Sequence, residues 1–245
     1  MSRPRLLALS LCATLLVTGC TSTQDKAAKL RAQGSAASGQ KGLEVKRQNP
    51  NVSVGTTKVI QDENGTAAVV ELENKTRRDF ASVPVSLEVL GAKRKPVFKN
   101  DAAGLEPSLV STSLLRGGES LLWVNDQVAV GQEIGSKART ARAKVGMPTA
   151  PPPKSIPKLS VSSPRLVKDP VSGDFARGNV TNRSKVEQQK LIIYAVARKG
   201  GRIVAAGKGG IDRLPAKGRR LYRIFFIGKP AGAELELSAP PVAFK

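Results

Sequence analysis

The chain has 245 residues, and its 40 Lys and Arg against 19 Asp and Glu give a formal net charge of +21 at neutral pH. It contains no histidine and only two cysteines, Cys12 and Cys20. The absence of imidazole excludes Ser-His and Cys-His nucleophile pairs and histidine acid-base catalysis. The length allows one large domain or two small ones.

Residues 1–20 have the order of an export signal. Arg3 and Arg5 form a cationic start, Leu6–Val17 is apolar, and Val17-Thr18-Gly19-Cys20 closes the run with small residues before a cysteine. The run is shorter than the ~20 apolar residues of a spanning helix. This order resembles the lipobox of bacterial lipoproteins, in which the signal is cut before the cysteine and the thiol carries a diacylglyceryl group.

The resemblance implies a signal peptide at residues 1–19, lipidation of Cys20 and a location outside the cytoplasm. The anchor would be the cell membrane, or the outer membrane facing the periplasm in a diderm cell. Cys12 would leave with the signal, so the processed protein would have no free thiol and no disulfide. The missing histidine and free cysteine exclude zinc sites of the usual ligand types. We expect no metal site and no cofactor.

Residues 20–48 are rich in Ala, Gly, Ser, Gln and Lys and show no apolar periodicity, so the composition predicts a flexible tether. From Val52 onward, short alternating runs bounded by turn residues predict β-strands. The predicted runs of the first half are Ala68–Glu73, Val83–Leu90, Pro96–Lys99, Leu109–Leu115, Leu121–Val130 and Ala138–Val145.

Prolines cluster at residues 148–157 and include Pro151-Pro152-Pro153. Proline removes the backbone donors that a sheet needs and stiffens a segment into a spacer. The cluster therefore predicts a linker between a β-sandwich domain at residues 49–147 and a second at residues 158–245.

The pattern of the first half returns after the linker. Asn74-Lys75-Thr76-Arg77 matches Asn182-Arg183-Ser184-Lys185, each just after a predicted strand. Leu115-Arg116-Gly117-Gly118 and the strand after it match Leu214-Pro215-Ala216-Lys217 and the strand that follows. These correspondences predict a tandem repeat of about 100 residues, the size of a domain rather than of a solenoid unit.

The second half carries short motifs at Gly178-Asn179-Val180-Thr181-Asn182, Tyr194, Gly201-Arg202-Ile203-Val204, and Leu214 with Gly218. These resemble the small immunoglobulin-like sandwiches of bacterial secreted proteins, the FxLYD type in particular. The resemblance implies two tandem all-β, immunoglobulin-like domains and no catalytic residue. In the first half, Ala68–Asn74 lacks the glycine of this pattern.

Residues 151–245 hold 19 Lys and Arg against 6 Asp and Glu. In a sandwich of the usual strand order, two basic turns of this half would emerge at the same end. We expect six cations to converge there on a polyanion: Arg198, Lys199, Arg202, Lys217, Arg219 and Arg220. Solvated turns without a ligand are the alternative, since loop charges are normally exposed.

The sequence predicts a non-catalytic, lipid-anchored protein of the cell envelope that acts as a binding or scaffolding module. Its expected partners are the membrane through the N-terminal lipid, an unidentified envelope protein, and anionic headgroups or wall polymer. The alternative is a basic capture protein for anionic polymer or extracellular DNA, without sequence-specific recognition of nucleic acid. An enzyme would have to use carboxylates or lysine, and Asp101, Glu106 and Asp126 are the clustered acids.

Overall fold

The computed structural model describes residues 42–131 and 137–244, and nearly all regular structure there is β-strand. The predicted all-β fold class is confirmed. Cys20, the signal and most of the predicted tether lie outside the described residues. The strands are β1 (Val52–Asp62), β2 (Gly65–Asn74), β3 (Phe80–Leu90), β4 (Pro96–Lys99), β5 (Ser111–Leu115), β6 (Ser120–Asn125), β7 (Thr140–Val145), β8 (Leu159–Val161), β9 (Arg165–Val167), β10 (Phe175–Asn182), β11 (Gln188–Lys199), β12 (Arg202–Leu214), β13 (Arg219–Phe225), β14 (Ile227–Gly228) and β15 (Glu234–Ser238).

Each half consists of antiparallel sheets built on the same plan. In the first half, β2 lies between β1 and β6, while β3 pairs with β4, β5 and β7. In the second half, β10 lies between β13 and the short strands β8 and β9, while β11 lies between β12 and β15. The long strand β12 follows β11 along its whole length, where the first half uses the two shorter strands β4 and β5.

Two buried asparagines at equivalent positions, Asn74 and Asn182, bind their turns in the same way. The Nδ2 of each donates to two backbone carbonyls, at 2.7 and 3.2 Å in the first half and at 2.7 and 3.1 Å in the second. The Oδ1 of each accepts from the backbone N–H and the hydroxyl of Thr76 or Ser184. The matched motifs of the sequence therefore form matched structures.

Three predicted strands are shorter than the sequence pattern suggested, and one of them, the run Ala138–Val145, becomes a strand only at Thr140. The run Leu109–Leu115 begins as a single helical turn, α1 (Pro107–Val110), and becomes a strand only at Ser111. The run Leu121–Val130 ends as a strand at Asn125, whose Oδ1 accepts the backbone N–H of Gln127. Side-chain bonds of this kind compete with the sheet and end the strand.

The hydrophobic core of the first half continues into the second. The larger cluster of buried residues, around Leu72 and Trp123, also contains Tyr194, Val196 and Ile203 of the second half. A separate cluster around Leu191 and Ile224 fills the second sandwich. The outer face of β11 and β12 therefore packs against β2 and β6, and we call this contact the junction.

The predicted linker and the end of the predicted tether both touch the first half. Within the proline cluster, Thr149 donates its backbone N–H to Ser82 and Ala150 forms a bridge with Ala81. Gln48 accepts the backbone N–H of Val145 through its side chain. Whether each half folds independently stays a prediction, because the junction buries surface of both.

Candidate functional site

The six cations expected at one end of the second half lie at two opposite ends, so the predicted convergence is wrong. Arg198, Lys199 and Arg202 flank the turn between β11 and β12, where Lys199 pairs with Arg202. Lys217, Arg219 and Arg220 lie beyond the far end of β12. At ~3.3 Å per residue, the 13 residues of this strand separate the two turns by roughly 40 Å.

The cations of these turns are also partly engaged within the chain. The Arg198 guanidinium lies 3.2 Å from the Glu236 carboxylate, and the Lys217 ammonium donates to the backbone carbonyl of Arg183 at 2.6 Å. Arg220 donates to the adjacent carbonyl of Arg219. As a group, the six residues do not form one positive pole.

The junction contains an ion pair that sequence analysis did not predict. Asp126, just after β6, accepts the backbone N–H of Lys208 on β12 at 3.1 Å. The Lys208 ammonium lies 3.9 Å from the other carboxylate oxygen and donates to the Ser108 hydroxyl at 3.1 Å. The side chains of Lys208 and Asp126 are only 7% and 20% exposed. The pair thus ties the two halves together away from bulk water.

Burial dominates the electrostatics of this pair. It raises the pKa of Asp126, while the Lys208 charge and its backbone N–H act in the opposite direction. It lowers the pKa of Lys208, against the attraction of Asp126 and Glu106. Each partner therefore offsets part of the desolvation cost of the other.

Further contacts fix the junction at both ends. The backbone N–H of Gly228 donates to the Asp62 carboxylate at 2.7 Å, and the Ser113 hydroxyl donates to the carbonyl of Pro240 at 3.3 Å. Tyr194 is buried between the halves, and this burial raises the pKa of its hydroxyl. Sequence analysis missed the junction because its residues come from strands more than sixty positions apart.

Of the three acids considered for catalysis, two act on the same lysine. Glu106 and Asp126 both favour the charged form of Lys208, whereas Asp101 lies exposed beyond β4. The Lys208 ammonium offsets the charge of Asp126 in a structural ion pair, which is not the arrangement of two carboxyls with separated pKa values that acid and base roles require. Among the described residues, no group of three or more Cys, Asp or Glu has the arrangement of a metal site.

A groove opens beside the ion pair, with a volume of about 450 Å³. The first half contributes Glu106, Ser108 and Ser113, and the second contributes Gln189 and Asp212, among other residues. Grooves of ~300–1,000 Å³ at the contact of two domains are common sites for ligands. Polar side chains from both halves converge here on one concave surface.

A second basic feature lies on the outer face of the sheet formed by β8, β9, β10 and β13. Arg177 is the direct cross-strand partner of Arg165 on one side and of Arg223 on the other. All three side chains are exposed and point to the same face, since paired residues share a face. The sequence shows an arginine at a polar position in each of these strands. Only the pairing register in the structure shows that the three arginines lie side by side.

The corresponding face of the first half is buried. By the matched motifs, Arg177 and Arg223 occupy the positions of Val69 and Val124, which are themselves a cross-strand pair. Both valines are fully buried in the larger core cluster at the junction. The repeated sheet is therefore covered in one half and coated with arginine in the other.

Comparison with known proteins gives no assignment. No family model matches the chain, and no curated protein matches it. Among solved structures, the chain is similar to the Salmonella enterica SafA pilin in complex with the SafB chaperone, at 13% identity over 80% of this chain and 100% of that chain. The TM-score of 0.22 is too low to support a conclusion about fold or function.

No helix within residues 42–131 and 137–244 is long and apolar enough to cross a membrane. The lipidation predicted at Cys20 rests on the sequence alone.

Proposed function

We propose that this chain is a non-catalytic, lipid-anchored protein of the bacterial cell envelope that binds a partner protein as a scaffolding module. The order Val17-Thr18-Gly19-Cys20 supports the anchor. A module of antiparallel sheets joined through a buried junction supports the binding role, because such a body presents fixed surfaces. The lipid places this body at a membrane surface outside the cytoplasm.

The junction groove is the observation that carries the binding role. Its lining comes from both halves, and the Lys208–Asp126 pair beside it holds those halves in one arrangement. A recognition surface fixed in advance loses little conformational freedom when a partner binds. The partner therefore meets a site that is already formed.

Capture of anionic polymer is the second candidate. The six cations expected to converge do not favour polymer binding, because they lie at two opposite ends of the second half. The aligned arginines of β9, β10 and β13 do favour it. No such observation favours the catalytic alternative, since the Lys208 ammonium is engaged with the Asp126 carboxylate and the Ser108 hydroxyl.

The anchor is tested by Cys20→Ala in the full chain. The variant is expected to remain unprocessed or to be released, whereas the parent partitions into detergent after its signal is cleaved, because stable anchoring needs more than one acyl chain. A processed variant that partitions like the parent would show that Cys20 carries no lipid.

The binding role is tested by photo-crosslinking in intact cells. A crosslinking side chain at Gln189 lines the groove, and the same side chain at exposed Lys144 on β7 is the control. We expect a discrete protein adduct from position 189 and none from position 144. Identical adducts from both positions would contradict a specific site at the groove.

A further inference from the structure

The outer face of the β13-β10-β9 sheet is arranged in rungs across its strands. One rung consists of Arg223, Arg177 and Arg165, and the next rung consists of Phe225, Phe175 and Val167. Neighbouring strands lie ~4.8 Å apart, so the backbone positions of the three arginines lie within about 10 Å of one another. We call this surface the arginine face.

The arginines of this face have no acidic partner in the part of the chain that the structure describes. None of Arg165, Arg177 and Arg223 forms an ion pair with a described carboxylate. Like charges directly opposite on a sheet are destabilising. Repulsion among the three arginines therefore destabilises the fold at this rung, and an anionic ligand would relieve that repulsion.

Apolar side chains stand exposed beside these cations. Phe225 is 47% exposed and Leu221 is 45% exposed, and both alternate with Arg223 along β13. Val171, in the loop between β9 and β10, is 92% exposed. Three of the four exposed large apolar side chains of the described chain thus belong to this one sheet and its loop.

Phe225 and Arg223 are held in place by the same neighbour. The Phe225 ring packs against Phe175 with centroids 5.3 Å apart, and the Arg223 guanidinium lies 5.7 Å above the Phe175 ring. The carboxylate of Asp169, in the loop before β10, accepts hydrogen bonds from the backbone N–H groups of Ser172 and Val171. These hydrogen bonds lower the pKa of Asp169. Leu221 and Phe225 therefore share the exposed face of β13 with Arg223, and Val171 is exposed in the loop that precedes β10.

We propose that the arginine face docks on the headgroup layer of a bilayer that contains anionic phospholipid. Arginine forms paired hydrogen bonds with phosphate oxygens. Aromatic and aliphatic side chains interleaved with cations suit the boundary between headgroups and acyl chains. Anionic lipid attracts each nearby cation with a strength that falls as salt screens the surface.

A membrane fits this surface better than a nucleic acid does. A single-stranded ligand needs several stacking rings and a groove that follows its backbone, whereas this face has one exposed ring and is a sheet surface. Exposed Val171 and Leu221 have no role in binding a phosphate backbone alone. This inference deepens the proposed function, since a lipid anchor at Cys20 would hold the face near the bilayer.

The test uses the full chain carrying Phe225→Trp, purified from bacterial membranes. It is mixed with vesicles of phosphatidylcholine alone or with vesicles that also contain one third phosphatidylglycerol. The phosphatidylcholine of both kinds has brominated acyl chains, which quench indole emission. Trp123 is fully buried and provides a constant background. The comparison variant adds Arg177→Glu and Arg223→Glu, and the charge-matched control adds Lys58→Glu and Lys144→Glu, both exposed on the first half.

We expect quenching only on vesicles that contain phosphatidylglycerol, with loss of the quenching in high salt and in the arginine variant but not in the control. Equal quenching in both double variants would overturn the proposal, as would emission that changes with a DNA oligonucleotide and not with vesicles. Flotation reports the anchor separately: chains that float on every vesicle without quenching support the lipid anchor and refute docking. Chains that float and quench only with phosphatidylglycerol support docking and refute the anchor.

Discussion

The three-stranded sheet of the first half and its counterpart in the second differ in what their outer faces carry. Val69 and Val124 cover the first sheet and are buried at the junction, whereas Arg177 and Arg223 occupy the same positions on the second sheet and face solvent. The strand plan and the buried asparagine turns are otherwise alike. In this repeated plan a few side chains therefore decide what each face does: the apolar pair joins the two halves, and the charged pair leaves its face exposed.

The largest expected effect comes from giving the first sheet the residue of the second. Val69→Arg places a charge in the junction without a partner, and an unpaired buried charge is among the most destabilising changes known. We expect a loss of more than about 4 kcal/mol in the free energy of unfolding, measured by urea denaturation. A loss below about 1 kcal/mol would show that this face is not buried in solution.

Removing one member of the junction ion pair is expected to cost less. Lys208→Met leaves Asp126 buried without its partner, which costs about 3–5 kcal/mol at neutral pH. The double variant Lys208→Met with Asp126→Leu should recover most of this loss, because an apolar pair of similar volume replaces the ions. A double variant as unstable as the single one would contradict the ion-pair account.

The pH dependence of Lys208→Met follows from Asp126. Burial raises the pKa of Asp126, and the variant lacks the lysine charge that opposes this shift. A carboxyl whose pKa is higher in the folded chain binds its proton more tightly when folded. The free energies of unfolding of variant and parent should therefore be most alike below pH ~3.9, the pKa of an unfolded Asp. The variant should become progressively less stable than the parent as the pH rises from there through the raised pKa of Asp126 in the folded chain. A constant difference across this range would contradict the prediction.

The asparagine turns predict equal effects in the two halves. Asn74→Ala and Asn182→Ala each remove a buried amide that donates to two backbone carbonyls, and the net loss is about 0.5–1.5 kcal/mol for each hydrogen bond. We expect the two losses in unfolding free energy to agree within about 1 kcal/mol. A large loss at one site and none at the other would show that the matched turns have different roles.

The smallest effect is expected at the arginine face and has the opposite sign. Arg177→Thr removes the central charge of the row and introduces a good strand former, so it should stabilise the chain by about 0.2–1 kcal/mol in low salt. The gain should shrink as salt screens the remaining charges. The matched control is Lys144→Thr on β7, which makes the same change in strand propensity opposite Ser86, so only the salt-dependent part of the gain should be absent there.

The sequence predicted what depends on local pattern and missed what depends on register. Alternation along Val83–Leu90 and the motif at Asn182 gave strands and turns that the structure contains. The basic turns were misplaced because β12 continues through Gly207, Gly209 and Gly210, which the pattern did not mark as a strand interior. The row through Arg177 depends on which residues oppose one another across strands, and no single stretch of sequence specifies that pairing.

The junction was invisible to sequence analysis for a related reason. Tyr194 and Val196 lie on the second face of β11, which in a lone sandwich would face water. The apolar character of these two residues does not by itself show that two cores meet there. A strand buried on both faces carries this information only once the neighbouring half is in place.

The arginine face should be open in solution and covered when the chain lies on an anionic bilayer. Arginine-specific modification by phenylglyoxal, followed by peptide mass analysis, measures this directly in the full chain on vesicles with and without phosphatidylglycerol. We expect Arg165, Arg177 and Arg223 to react on phosphatidylcholine and to be protected when phosphatidylglycerol is present. The exposed residues Arg78 and Arg94 of the first half should react equally on both kinds of vesicle. Equal reactivity of all five arginines on the two kinds of vesicle would contradict this expectation.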